Sequence, residues 1–427
     1  MPRKNIDSVT FVSSTASKNS TAWDASAQGD NSILGWYTTN SNGSYKVYVG
    51  SNYEMHANID SKYLFSNIGY SSLCTSTTTI SGLELLNTEH VTNMYSMFWR
   101  TGYNAMANLN LGNNFKTSSA NDLEFMFMET GYKNMTTLTL GSNFNTSKAT
   151  KMYAMFDGTG YTKMTSLNLG GNFNTTNVKK MTRMFRNCGY TKMTTLTLGS
   201  KFNTGNVEEM ISMFEGTGHE LMTGLNLGSL FNTAKVKTMK DMFKNCGYAK
   251  MTSLNLGSNF NTSIATDMSG MFSGCGYTAM TTLTLGSKFN TAKVTTMKEM
   301  FLNTGHNVMD SLDLGDQFYT TAATDMTSMF NGTGATAMTS LDLGPAFTKI
   351  AGTYTDMFTN TGKSGSVVIY ATESIFQTKN SFKVTIKKPI EYINYTSDNS
   401  ENHIFFQNFL KNFWNSIFYF CRIISIF

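Results

Sequence analysis

Apolar residues return along this chain in a fixed order: a Met-x-x-Met-Phe group, a Met-x-x-Leu-x-Leu group and a single Phe, separated by Thr, Asn, Ser and Gly. The Met-Phe pair recurs every 29 residues from Met97-Phe98 to Met329-Phe330, and a last copy, Met357-Phe358, comes one residue early. Self-similarity at a fixed period of this size is the mark of a solenoid, in which each repeat is one rung. One rung alone cannot bury so much Met, Phe and Leu, whereas a stack of rungs can.

Within a repeat, Met164, Leu167 and Leu169 follow the L-x-x-L-x-L spacing of a leucine-rich repeat, whose short strand turns its leucines inward. Asn172 holds the Asn slot of that consensus. Val178, Met181, Met184 and Phe185, at i, i+3, i+6 and i+7, predict a short helix with one apolar stripe, capped by Thr175 or Thr176. The Gly column from Gly102 to Gly334 reads as the left-handed stop of that helix. A second column, Gly112 to Gly344, follows each strand and lets the chain bend away. Phe144, Phe173, Phe202, Phe231, Phe260 and Phe289 point back into the coil. The predicted fold class is an α/β repeat solenoid of about ten rungs, leucine-rich-repeat-like, with a parallel sheet on one side, short helices on the other and β-rich caps.

The ends differ from the array. Residues 1–60 carry Trp23, Ile33-Leu-Gly-Trp36-Tyr, the turn-like Asn40-Ser-Asn-Gly43 and Tyr45-Lys-Val-Tyr-Val49, which read as a hairpin capping the first rung. That rung is read as Ile80-Ser-Gly-Leu83-Glu-Leu85. The solenoid is placed at 61–360 and a closing cap at 361–388, with Val367–Tyr370 and Phe382–Ile386 as its strands. Residues 389–427 form an apolar tail. Phe406, Phe409, Phe413, Ile417, Phe420 and Ile424 fall at helical spacing, so the tail reads either as a membrane-surface helix or as aberrant coding sequence. Its polar breaks disfavour a membrane span. No apolar run of signal-peptide length follows Met1, and the expectation is a truncated reading frame.

Charge adds little. Charged residues make up 14% of the 427 positions and the net charge is +5, with lysines such as Lys179, Lys180, Lys237 and Lys240 scattered and without aromatic interleaving, so no nucleic-acid partner is expected. Cys188, Cys246 and Cys275 occupy a slot held elsewhere by Thr101, Thr130, Thr159, Thr217, Thr304 and Thr333. They read as buried packing residues, with a Cys246–Cys275 bridge sterically conceivable. There is no C-x-x-C pair, the five histidines fall at unrelated points, and no cofactor is expected.

The Val-x-x-Met-x-x-Met-Phe and Leu-x-Leu pattern, with the Gly35-Trp36-Tyr37 hairpin and the Tyr63-Leu-Phe65 entry, resembles the BspA-type leucine-rich repeat surface proteins, a family with a roughly 26-residue repeat. The resemblance covers about residues 20–385 and departs from the family in its longer period and in lacking an export signal and a wall-sorting motif. It implies a non-enzymatic cell-surface or secreted protein of bacteria, or of protists carrying such genes, used for adhesion. Its partners would be host or neighbouring-cell surface proteins, extracellular-matrix proteins or glycans, with membrane contact only through the tail. In such repeats the residues flanking the leucines face outward on the concave sheet. Here these are Thr137, Thr139, Ser166, Asn168, Thr195, Thr197, Asn226, Ser253, Asn255, Thr282, Thr284, Asp313 and Asp342. The face lacks Tyr, Trp and Arg anchors, so weak contacts multiplied along the array are expected; the competing reading is a merely solvating surface. A Thr-rich ice- or lattice-binding surface and a purely structural surface-layer component are the alternatives. Asp310, Asp313, Asp316 and Asp342 form the one acidic break in the pattern, a weak calcium candidate.

Overall fold

The computed structural model describes residues 1–350, 352–364, 366–372, 375 and 385–387. The tail 389–427 and most of the second closing strand predicted at 382–386 lie outside the described residues. The chain opens with β1 (Ile6–Val12), β2 (Trp23–Asp24), β3 (Leu34–Thr39), β4 (Tyr45–Gly50), β5 (Met55–His56), β6 (Thr79–Ser81) and β7 (Leu86–Asn87). The rung strands are β8 (Asn108–Asn110), β9 (Thr137–Thr139), β10 (Ser166–Asn168), β11 (Thr195–Thr197), β12 (Ser253–Asn255), β13 (Thr282–Thr284), β14 (Ser311–Asp313) and β15 (Ser340–Asp342). They are followed by β16 (Val368–Tyr370) and β17 (Thr385–Lys387).

Each rung strand is three residues long, with a buried middle leucine between two outward residues. Pairing is parallel and one repeat apart, Leu167 beside Leu196 and Leu254 beside Leu283. β14 through β17 form one continuous parallel sheet, so Val368–Tyr370 prolongs the rung pattern instead of closing it with a different element. At the other end β3 and β4 make the expected hairpin. β1 is an element beyond that hairpin: its alternation Val9-Thr10-Phe11 inserts it between β4 and β6, parallel to both, as a strand preceding the first rung. Ile80 is the inward residue of the first rung strand, and Leu83 is buried as well but lies beyond the strand. Gly82 has φ +73°, and Leu83–Leu85 leave the strand as a 3-10 turn.

Among the described residues the helices predicted on the other side are absent. The Met-x-x-Met-Phe segments are chains of tight turns. Met97 N–H donates to Met94 C=O (3.1 Å), Trp99 to Ser96 (3.1 Å) and Thr101 to Phe98 (3.0 Å). The intervening amides leave the rung: Ser96 donates to Glu124 C=O (2.9 Å), Phe98 to Met126 (2.8 Å) and Arg100 to Met128 (2.9 Å). Beyond its first turn an α-helix aims each amide along its own axis at i−4, so those amides cannot reach a neighbour. Here alternate amides pin each rung to the next, made possible by left-handed residues four apart, such as Ser96 (φ 53°) and Arg100 (φ 56°). This backbone still turns Val178, Met181, Met184 and Phe185 inward, all completely buried. Beside it runs a second ladder of single-residue parallel bridges, from Asp60 to Asn93, Asp122 and onward to Thr353.

With no helix to cap, Thr175 has another job. It is fully buried, and its hydroxyl accepts from Asn203 N–H (2.8 Å) and donates to Asn203 C=O (2.7 Å), one repeat away. Asn172 is exposed, donating to Ser142 C=O (2.8 Å) on the rung before. Two phenylalanine columns run through the core. Phe185 stacks on Phe156 and Phe214 with centroids 5.6 and 5.5 Å away, and Phe173 on Phe202 at 6.3 Å. The threonine slot is inward as expected: Thr217 donates to Phe185 C=O at 2.7 Å. Cys188, Cys246 and Cys275, in that slot, are buried free thiols whose ionisation burial pushes up.

Candidate strand-face site

The residues flanking the rung leucines stand side by side in two columns. Ser166 lies beside Thr195 and Asn168 beside Thr197; Ser253 lies beside Thr282 and Asn255 beside Thr284. Thr137, Thr139 and Asn226 are likewise exposed, and so is Asp313, while Asp342 is half-buried beside it. The outward direction follows from the strand itself: with a period of two, an inward leucine forces both neighbours out.

The second column does more than face solvent. Wherever it holds Asn or Asp, the side-chain oxygen accepts the N–H of the glycine two residues on: Asn168 from Gly170, Asn226 from Gly228 and Asn255 from Gly257, all at 2.9 Å. Asp313 takes Gly315 N–H at 2.8 Å and Asp342 takes Gly344 N–H at 2.9 Å. These are Asx turns, which fold the chain into the left-handed glycine after each strand. Gly344, with φ +74°, has no room for a side chain, since a Cβ would lie 2.1 Å from Gly315 C=O. Thus part of the acceptor capacity assigned to a ligand is already used, and the outward amide N–H groups remain.

The acidic break does not assemble a cation site. Among the described residues no group of three or more His, Cys, Asp or Glu is placed to hold a metal ion. Asp313 and Asp342 are register neighbours, but Asp310 accepts a bond from Ser311 (3.2 Å) and each strand aspartate is committed to its glycine.

Several basic residues also find partners along the stacking direction. Lys151 pairs with Asp122 (3.0 Å), Lys237 with Glu208 (3.1 Å) and Arg186 with Asp157 (2.9 Å), each pair bridging adjacent rungs. Burial pushes the Asp157 carboxyl up to about 6, opposed by the Arg186 guanidinium.

Two features escape a reading made one repeat at a time. The Tyr after the first glycine builds a half-exposed aromatic ladder, with Tyr132 and Tyr161 stacked 4.6 Å apart and Tyr161 and Tyr190 at 4.7 Å. Burial, with the neighbouring phenols, raises the Tyr132 hydroxyl to about 12. Two of the histidines read as unrelated belong to this ladder: His219 stacks between Tyr190 (4.2 Å) and Tyr248 (4.6 Å), and His306 on Tyr277 (4.4 Å). Burial lowers the His219 pKa, with Glu220 at 2.8 Å opposing. Counting in steps of 29 from Tyr190 and Tyr277 places both. The second feature is the rung Gly224-Leu225-Asn226, which occupies a strand position but forms no strand.

A family profile described as "Mycoplasma protein of unknown function, DUF285" matches residues 68–197, 161–282 and 248–368, three overlapping stretches that together span most of the chain. No curated protein and no solved structure matches. Among the described residues no helix is long and apolar enough to cross a membrane.

Proposed function

The chain belongs to this repeat family of unknown function, and from that premise we propose that it is a non-enzymatic adhesion or interaction scaffold of the BspA-like kind, exported to the cell surface or secreted. It binds multivalently through the strand face. The observation that carries the reading is the registered pair of exposed polar columns, typified by Ser166 beside Thr195 and Asn168 beside Thr197. A partner with its own repeating groups meets the same hydroxyl or amide at each step of about 4.8 Å. Each contact is weak, because the face holds no aromatic or arginine anchor. Repetition multiplies such contacts, and linked sites gain about 10²–10⁴ in avidity without any new contact.

Extracellular-matrix proteins and glycans, on host or neighbouring cells, are the partners this chemistry suits. An ice- or mineral-lattice surface fits less well, because the Thr-x-Thr rungs are interrupted by one or two rungs at a time whose Asn or Asp is folded onto a glycine. The test is retention of the intact protein on immobilised matrix proteins and glycans. Changing Thr137, Thr195 and Thr282 to Glu is expected to abolish it. The same exchange at Thr150, Thr266 and Thr295, exposed beside the second bridge ladder, is expected to leave it unchanged. Equal loss in both variants, or in neither, would remove the strand face from the account.

A further inference from the structure

We infer that the rung Gly224-Leu225-Asn226 is a discrete binding site for a neutral saccharide chain, an inference that rests on the strand face being the ligand face. β11 on one side pairs only with β10, and β12 on the other only with β13, so this rung stands between two closed sheet pairs. Among the described residues its three amides and carbonyls make no backbone hydrogen bond to either neighbour. The nearest such bond is Thr252 N–H to Thr223 C=O (3.1 Å), at the edge. Backbone polar groups left out of a ladder require another partner, water or ligand.

The open rung lies in a depression of about 660 Å³, within the size range of small-molecule sites. Gly224 helps create it. At this register position every other rung from Asn108 to Ser340 carries a side chain, yet no backbone demand explains the glycine. Gly224 is not among the glycines with positive φ, and a Cβ added to it would meet nothing closer than Ser253 C=O at 4.0 Å.

The lining chemistry selects the ligand. Hydroxyls come from Ser229, Ser253 and Ser258, and amides from Asn226, Asn255 and Asn259. The Asn226 and Asn255 oxygens are taken by Gly228 and Gly257, which leaves their NH2 groups as donors. The Asn259 NH2 donates to Ser229 C=O (2.9 Å), which leaves its oxygen as an acceptor. No charged residue lines the depression, so neither an anion nor a cation would find a counter-charge. Mixed neutral donors and acceptors above the side chain of Leu225, which is 7% exposed, match the hydroxyls and C–H faces of uncharged sugars. The threonines of β11 and β13 continue the polar path to either side, which favours a chain over a single sugar.

The experiment is titration of the whole protein with linear neutral gluco-, manno- and galacto-oligosaccharides, with sialylated and sulfated glycans in parallel. At least one neutral series is expected to bind, and Gly224→Thr to weaken it at least about tenfold with no change in melting temperature. A Thr150→Ser variant, at an exposed position beside the second bridge ladder and off the strand face, should bind as the parent does. Failure of every neutral series, preference for the charged glycans, or unchanged affinity in Gly224→Thr would each overturn the assignment. Retention on matrix proteins is read in the same variants: it should survive Gly224→Thr, so loss of multivalent retention and loss of this site are told apart.

Discussion

Thr146 and Asn174, one repeat apart, exchange two hydrogen bonds through a single hydroxyl: Asn174 N–H donates to Thr146 Oγ1 at 2.8 Å, and that hydroxyl donates to Asn174 C=O at 2.7 Å. The same exchange recurs between Thr175 and Asn203 and between Thr204 and Asn232. It is a bolt between rungs, hidden from water. Thr175→Val keeps the shape and removes both bonds, leaving a backbone amide and carbonyl buried without them. The expected loss is about 1–3 kcal/mol in denaturant unfolding. Thr176→Val, next door and exposed, should change stability by less than about 0.5 kcal/mol. Similar values for the two variants would contradict the bolt.

Phe185 has an aromatic ring above and below it, and Phe185→Ala should cost about 3–5 kcal/mol. Because a solenoid holds together through nearest-neighbour contacts, the loss is expected to split unfolding into two steps near the middle of the array. A melting curve identical to the parent's would place this side chain outside the core.

Ser212 separates the turn stack from a helix by the sign of one measurement. Its φ is +53°, and the equivalent residue two repeats later is Gly270, at +63°. A left-handed L residue costs roughly 1–2 kcal/mol, so Ser212→Gly should stabilise the protein by about 0.5–1 kcal/mol. In a helix the same change would destabilise it by a comparable amount.

The Asp157 carboxyl, raised to about 6 by burial, gives a pH signature. Its folded pKa lies above the ordinary carboxylate value, so the folded state holds the proton more tightly than the unfolded one. Its contribution to stability therefore falls as pH rises from about 4 to about 6, then levels off. Unfolding free energies of the parent and of Asp157→Asn, compared across that window, should diverge with this slope. A parent whose stability relative to the variant rises through the window would reverse the assignment.

Much of the fold is legible in one repeat. Leu167, Leu169, Met184, Phe185 and Phe173 declare themselves by period, and all are buried. The turn stack is not legible from that spacing, because a helix and a chain of i→i−3 turns both bring i, i+3, i+6 and i+7 to one side. The distinguishing signal is conformational: left-handed φ at Ser96, Arg183 and Glu299, residue types that do not advertise it. Glycines are its trace in the sequence: Gly270 stands in this column, and Gly158, Gly216 and Gly332 in the left-handed column four residues on. The outward site columns followed directly from strand alternation. What alternation could not supply was the folding of Asn168 and Asp313 onto their glycines, or the sheet opening at Gly224, since both depend on which neighbouring backbone groups are already paired.

The account's central claim is that binding is spread along the strand face, and rung number tests it most directly. Variants with whole 29-residue repeats deleted, keeping about three, six or nine rungs between the same ends, are compared for retention on one extracellular-matrix or glycan surface. Affinity that climbs steeply with each added set of rungs is the predicted result. Equal retention by the shortest and longest arrays would contradict it.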